Sequence, residues 1–448
     1  MFRLLLLLVI LAPLPLGSNR PWAWSLLGVG VGLMMVGWSV AAGRGWLSAP
    51  VPLRRMAVAA SLFGAVIAWA LIQGAGAVPQ SWWHPLWSEA ATALGVPVHG
   101  GLSLSPSLTM TGVVRLLTYG GVFWLAVQLC QSRDRARTAL FVLAAANAAY
   151  ALYGLALHYL GLEKILWLDK QAYLGDLTST FVGRNAYGAY AGLGVLCMIA
   201  LLLHVLRHRH ASRGLLAGLD ETVMLRAVLA LIGVCLTGTA LLLSHSRGAF
   251  LSTTVAIAAL LLLASMARLM RGKTLLLLTC VLTLIGSGMF LISGDEVLAR
   301  LAATNADDAR PALFSLTLQA ISAAPWTGYG LGTFLPAFGI YRDTTLSAPL
   351  VWDFAHNTYL ELAMDLGVVG AGLFYAAVAV VVWTCLQGVA RRRRDHVYPV
   401  LAVSAATLLA AHGLVDFSAQ IPAVAVTLAF LLGLGYTQSW SSAHHVDA

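Results

Sequence analysis

Apolar residues run together along this chain in long blocks, and polar residues gather in the gaps between them. The blocks predict twelve helices, over about residues 3–16, 24–43, 56–78, 112–130, 137–160, 186–206, 226–243, 249–267, 274–293, 358–388, 397–413 and 422–438. Apolar runs of roughly 18 or more residues have the length of a bilayer crossing. The expected fold is therefore all-α: a polytopic membrane protein of about 12 transmembrane helices, one membrane domain over 1–448. No parallel or inverted internal repeat accompanies the pattern. The first block, LLLLLVILAPLPL, has the apolar core of a secretory leader but no small-residue cleavage site before Asn19 and Arg20. It is expected to stay as the first span.

Composition rules out the soluble alternative. The chain is 59% hydrophobic and 10% charged, with mean hydropathy +0.82, whereas soluble domains carry about a quarter charged residues. Cys130, Cys197, Cys235, Cys280 and Cys385 all fall inside apolar blocks and read as small buried hydrophobes. With no CxxC and no Cys/His cluster, no metal site is expected.

Charge sets the orientation. Basic residues favour cytoplasmic loops. A cytoplasmic N-terminus collects eighteen of the 27 Lys and Arg residues on that face: Arg3, Arg44, Arg54, Arg55, Arg133, Arg135, Arg137, Arg207, Arg209, Arg213, Arg226, Arg268, Arg271, Lys273 and Arg391 to Arg394. Thirteen of the 18 acidic residues fall on the other face, and both termini are expected in the cytoplasm. The net charge of +9 is thus a topology signal and gives no support to nucleic-acid binding. Two long connections, 79–111 and 294–357, then face outward. In the first, Trp82, Trp83 and Trp87 suit a short helix in the membrane interface. The second is too long for a passive link.

Four polar signatures gather on the outward face. STFVGRNAYGAYAGL brings Arg184 and Asn185 just before the sixth span, and LLSHSRGAF puts His245, Ser246 and Arg247 between the seventh and eighth. In DDARPALFSLTLQAISAAPWTGYGLGTF, Arg310 opens an amphipathic helix, and Gly328, Gly330 and Gly332 form a flexible turn. WDFAHNTYLELAMDLGVVG sets His356 and Asn357 at the mouth of the tenth span, with Glu361 and Asp365 following on one helical face. Each has an ordinary structural explanation. Arg184 could snorkel, Arg247 could be solvated in its turn, and His356 could cap a helix. Glu361 and Asp365 could simply favour the positive end of the helix dipole. The GYGLG turn lacks the lysine and strand context of a phosphate loop.

Together they point to chemistry. Ionisable groups near a bilayer are costly and mark substrate paths. Arginines from separate loops would form a polyanion pocket, since guanidinium groups bind phosphate oxygens through paired donors. A neutral histidine beside that pocket can accept a proton. Such a set suits displacement of a diphosphate by a sugar hydroxyl.

The order SHSRGAFLS, DDARPALF, PWTGYGLGTF and AHNTYLELAMDLGVVG, with the long loop before the tenth span, resembles the O-antigen ligase and O-antigen polymerase superfamily of bacterial envelopes. PLPLGSNRPWAW, FVGRNAYGAY and HGLVDFSAQIPA extend the resemblance over most of the chain. It implies a periplasmic site in the bacterial inner membrane and a glycan donor on undecaprenyl diphosphate. The acceptor would be a glycan or lipid A-core, with membrane lipids as the surroundings and no metal or other cofactor. Carried across, Arg247 and Arg310 would hold the diphosphate and His356 would be the general base, with inversion at the anomeric carbon. Arg184 and Asn185 would add contacts to phosphate or glycan. Asn357, Glu361 and Asp365 would orient His356 or the acceptor, and Asp416 would contact sugar or pair with an arginine. His245 stands where a small or polar residue is commoner, and its role is open.

Within the superfamily, a ligase and an O-antigen or exopolysaccharide polymerase share these motifs, and a protein-targeting oligosaccharyltransferase is a third version. A transporter of the same lipid-linked glycan would place ionisable groups near mid-membrane on broken helices in repeated halves. Charge here concentrates at one face, which favours the enzyme.

Overall fold

The computed structural model describes residues 1–47, 50–207, 221–269, 272–293, 309–346, 351–392 and 395–440. These are mostly helical, and a helix stands at each of the twelve blocks: α1 (Phe2–Leu11), α2 (Pro21–Gly43), α3 (Ala57–Gly74), α5 (Pro106–Leu129), α6 (Arg133–Tyr159), α7 (Arg184–Arg207), α8 (Glu221–Leu243), α9 (Arg247–Met266), α10 (Gly272–Ser293), α13 (Thr358–Arg391), α14 (Val397–His412) and α15 (Pro422–Thr437). Three further helices lie in the long connections: α4 (Pro85–Leu94), α11 (Arg310–Ala323) and α12 (Phe334–Phe338). A two-residue-per-strand hairpin, β1 (Lys164–Ile165) and β2 (Leu168–Asp169), follows α6.

Among the described residues, eight helices are long and apolar enough to cross a membrane: α2, α3 with the short turn before it, α5, α6, α7, α8, α9 and α13. Helices α1, α14 and α15 are apolar but shorter. Their outward sides are dressed in hydrocarbon. Leu26, Val29, Leu33 and Val36 of α2 are exposed at helical spacing, a face that only lipid can cover. Helix α7 is the exception, with 78% of its apolar window buried, and it packs against α6, α8, α9 and α14. It is the central post of the bundle.

Successive helices run up and down, so the bundle has two ends. At one, Gln438 Nε2 donates to Cys130 O, Tyr436 Oη donates to Arg55 O, Arg133 pairs with Asp395 at 2.8 Å, and Arg135 lies over the Phe2 ring. At the other, Thr180 Oγ1 donates to Pro13 O, Leu177 N to Leu243 O, and Thr358 N to Gly413 O. Every described site candidate lies towards this second end.

Helix α13 is broken near that end. Gly367 adopts φ 73 and ψ 163, non-helical values inside the helix. The freed backbone groups are met by the 325–330 turn: Val368 N donates to Pro325 O, Tyr329 N to Met364 O and Gly330 N to Asp365 O. Gln73 Nε2 donates to Thr327 O and Asp365 O, tying α3 to the same break. Gly328 and Gly367 both have positive φ, and a Cβ on either would collide with backbone of the other segment. The turn expected to be flexible is therefore a fitted plug, because a broken transmembrane helix must satisfy its peptide groups internally.

In the 79–111 connection, α4 carries Trp87, and Trp82 and Trp83 fall in the turn before it. Trp83 and Trp87 donate to Val78 O and Ser103 O, while Trp82 is exposed. Helix α11 buries one face, Leu313, Leu316, Thr317, Ala320 and Ile321, but Leu318 on the open side is exposed, so the expected amphipathic helix is one-sided in burial and not in composition. Arg209, Arg213, Arg271, Arg300, Arg393 and Arg394 lie outside the described residues, as does the Asp307–Asp308 pair in 294–308.

Candidate functional site

Two buried carboxylates organise the polar end. Asp416, in the turn between α14 and α15, is 1% exposed. Its Oδ1 accepts from Asn185 Nδ2 at 2.9 Å and lies 3.5 Å from His356 Nδ1. Its Oδ2 accepts from Ser418 N at 3.0 Å and from the Ser418 hydroxyl, and stands 3.9 Å from His412 Nδ1. Burial by itself would raise this carboxyl, but the His356 ring, His412 and Ser418 outweigh that and hold it below the ordinary carboxylate range.

His356 is held from several sides. Its backbone is left-handed, φ +52, and the ring packs edge-on against Trp352 and Phe417, with centroids 5.9 and 4.9 Å away. The side chain is 23% exposed, with Nδ1 buried against Asp416. Asn357 next to it caps α13: Oδ1 accepts from Tyr359 N and Leu360 N, while Nδ2 donates to Leu414 O. Thr358 Oγ1 donates to Asp416 O. The start of α13 is thereby stitched to the turn that carries Asp416.

The second carboxylate is Asp176, in the segment before α7. Its Oδ1 meets His245 Nδ1 at 2.8 Å and its Oδ2 meets Arg184 Nη1 at 2.7 Å. His245 also has a left-handed backbone, φ +51. The two networks join through Asn185, whose Oδ1 accepts from Ser246 Oγ at 2.8 Å, and Ser246 in turn caps α9 by accepting from Ala249 N. Arg247 is the first residue of α9. The adjoining Gly248 is pressed so near α14 that a Cβ there would lie 3.2 Å from His412.

Tyr173 stands among these groups with a left-handed backbone, φ +58. The Arg184 guanidinium lies over its ring at 5.6 Å. Burial raises its phenol; Arg184 and Arg310 oppose that rise, and Asp416 and Asp176 add to it. Arg310, the first residue of α11, is therefore close enough for its charge to reach Tyr173, and it also acts on His412.

Glu361 and Asp365 lie deeper, each 4% exposed. Glu361 Oε2 accepts from Ala355 N at 2.8 Å, the peptide just before His356. Asp365 Oδ2 accepts from Gly332 N at 2.6 Å, within the GYGLG plug. They support the site's backbone from beneath and stand apart from the Asp416 network.

The structure thus joins Arg184, Asn185, His245, His356, Asn357 and Asp416 in one polar system, with Arg247 and Arg310 at helix starts beside it. Sequence reasoning missed Asp176, Tyr173, His412 and Ser418. Asp176 sits in GDLTST, a polar stretch where a lone acid reads as solvated; nothing local marks it as the partner of a histidine 69 residues away.

Fold and site together define a multi-pass membrane protein with a cationic, histidine-bearing site at one end of its bundle. The family model described as O-Antigen ligase (Wzy_C) matches residues 232–375. That stretch carries Arg247, Arg310 and His356, and the match supports the O-antigen ligase superfamily. No curated protein matches the chain.

Proposed function

We propose that the protein is an inverting glycosyltransferase of the O-antigen ligase type. It would move a glycan from undecaprenyl diphosphate to an acceptor hydroxyl at the periplasmic face of the bacterial inner membrane, with no metal. The observation that carries this reading is the His356–Asp416 pair at the mouth of α13. It sits beside helix starts that present Arg247 and Arg310, which with His356 fall in the family-matched stretch.

Asp416 faces Nδ1 of His356, which fixes the ring and leaves Nε2 to take the acceptor proton. The acceptor oxygen attacks the anomeric carbon from the side opposite the leaving group. As the new C–O bond forms, the bond to the diphosphate breaks and the electron pair departs with undecaprenyl diphosphate. Arg247 and Arg310 stabilise that charge through fixed donors. Asn185 and Asn357 hold the two halves of the site in register.

Reconstituted protein given lipid-linked oligosaccharide and a lipid A-core acceptor tests this. New linkage to lipid A-core supports the ligase reading; extension of a second lipid-linked unit means a polymerase; movement across the bilayer without linkage sinks the enzyme. Arg247→Ala or Arg310→Ala should cut transfer by about 10²–10³ with the protein still in the membrane. Full activity in either variant refutes the diphosphate role. His356→Ala should lower turnover by about 10²–10⁴ with donor binding retained; lost donor affinity at an unchanged rate would mean that His356 is a binding group.

A further inference from the structure

Arg184 is held by a buried carboxylate. Its Nη1 is engaged by Asp176, a buried carboxylate that also holds His245. Its Nε is buried with no hydrogen-bond partner. A phosphate docked on this guanidinium would meet the Asp176 carboxylate at close range, and like charges in a partly dry site repel strongly. The pair therefore suits a neutral ligand rich in hydroxyl groups.

Tyr173 supplies the other half of such a site. Tyr173 is 39% exposed with its ring beneath the Arg184 guanidinium, and the Arg184 side chain is 30% exposed. An aromatic face carries partial negative charge, which attracts the polarised C–H bonds of a pyranose. Guanidinium donors are matched to ring hydroxyls. The position also fits: Arg184, which lies over the Tyr173 ring, is the chain neighbour of Asn185, and Asn185 donates to the Asp416 carboxylate that faces His356.

We infer that Tyr173 and Arg184, held by Asp176, form a subsite for a neutral pyranose of the donor glycan, separate from the diphosphate contacts of Arg247 and Arg310. This rests on the glycosyltransferase reading. Asp176 is a positioning residue, acting through Arg184.

The test compares two probes on the full-length protein in nanodiscs: undecaprenyl diphosphate, and the same lipid bearing one N-acetylglucosamine. Tyr173→Ala and Arg184→Ala should weaken binding of the glycosylated probe by about tenfold and change the bare lipid by less than about twofold. Tyr173→Phe, which keeps the ring, should preserve most of the difference between probes. Asp176→Asn should act like Arg184→Ala and raise KM for the glycosylated donor more than it lowers kcat, which a loss of folding alone would not do. Equal weakening of both probes by Tyr173→Ala, or no effect on either, overturns the subsite. Should the unaltered protein bind neither probe, the glycosyltransferase reading falls together with the subsite; binding of both without discrimination by Tyr173 sinks the subsite alone.

Discussion

His356 and Asp416 show how far a residue can be read before it is placed. The motif AHNTYLEL marks His356 by itself, and HGLVDFSAQIPA singles out Asp416 as a sugar or arginine contact. The structure adds what those motifs do not say: Asp416 faces two histidines and an asparagine, with His356 at 3.5 Å. Asp416→Asn should therefore remove an anionic partner buried beside His356 and lower stability by about 3 kcal/mol, measurable as earlier thermal unfolding in detergent. Folding lowers the Asp416 carboxyl below its ordinary value. A carboxyl shifted that way stabilises the fold above the ordinary carboxylate range, and the benefit fades as pH drops through that range to the lowered value. Wild-type unfolding temperature should fall on acidification, and Asp416→Asn should flatten that limb; an unchanged acid profile would contradict the assignment. Asp176 was not legible because a buried and a solvated aspartate have the same letter and the same polar neighbours.

Among the elements, α13 carries the most information. Its apolar run foretells a spanning helix, and the structure makes Asn357 its N-cap, where the sequence offers His356. The break at Gly367 is invisible in the run, since LGVVGAGL reads as ordinary small-residue helix. What makes the break tolerable is the 325–330 turn, which donates to or accepts from the freed peptides. A discontinuous helix is a feature of transporters, but here the gap is filled by protein backbone. Gly367→Ala places a Cβ against the Trp326 carbonyl at a left-handed position, so it should destabilise the fold by about 2–3 kcal/mol. It should also reduce transfer, because Asp365 and Glu361 support the peptides around Gly332 and Ala355. Wild-type thermal stability in that variant would show that the plug is not rigid.

The described residues form a bundle with the candidate site residues towards one end and Arg55, Arg133 and Arg135 at the other. The expected topology follows if the Arg133–Asp395 end faces the cytoplasm. Single cysteines at Ser132 and at Gln171 should then react with an impermeant maleimide from opposite sides of right-side-out vesicles, Gln171 from outside; labelling of both from one side would overturn the orientation. By itself the sequence determined the membrane class, the position of the helical blocks, the family of the 232–375 stretch and most of the polar residues that gather. These depend on run length, local spacing and short motifs, all of which are local quantities. Only the tertiary structure decided that Asp176 joins Arg184 to His245, that Asp416 faces His356, and that a glycine turn fills a broken helix. Those pairings bridge up to 69 residues of chain. They exist because burying a charge or a free peptide is tolerable only beside its partner, a requirement that packing enforces and local pattern does not record.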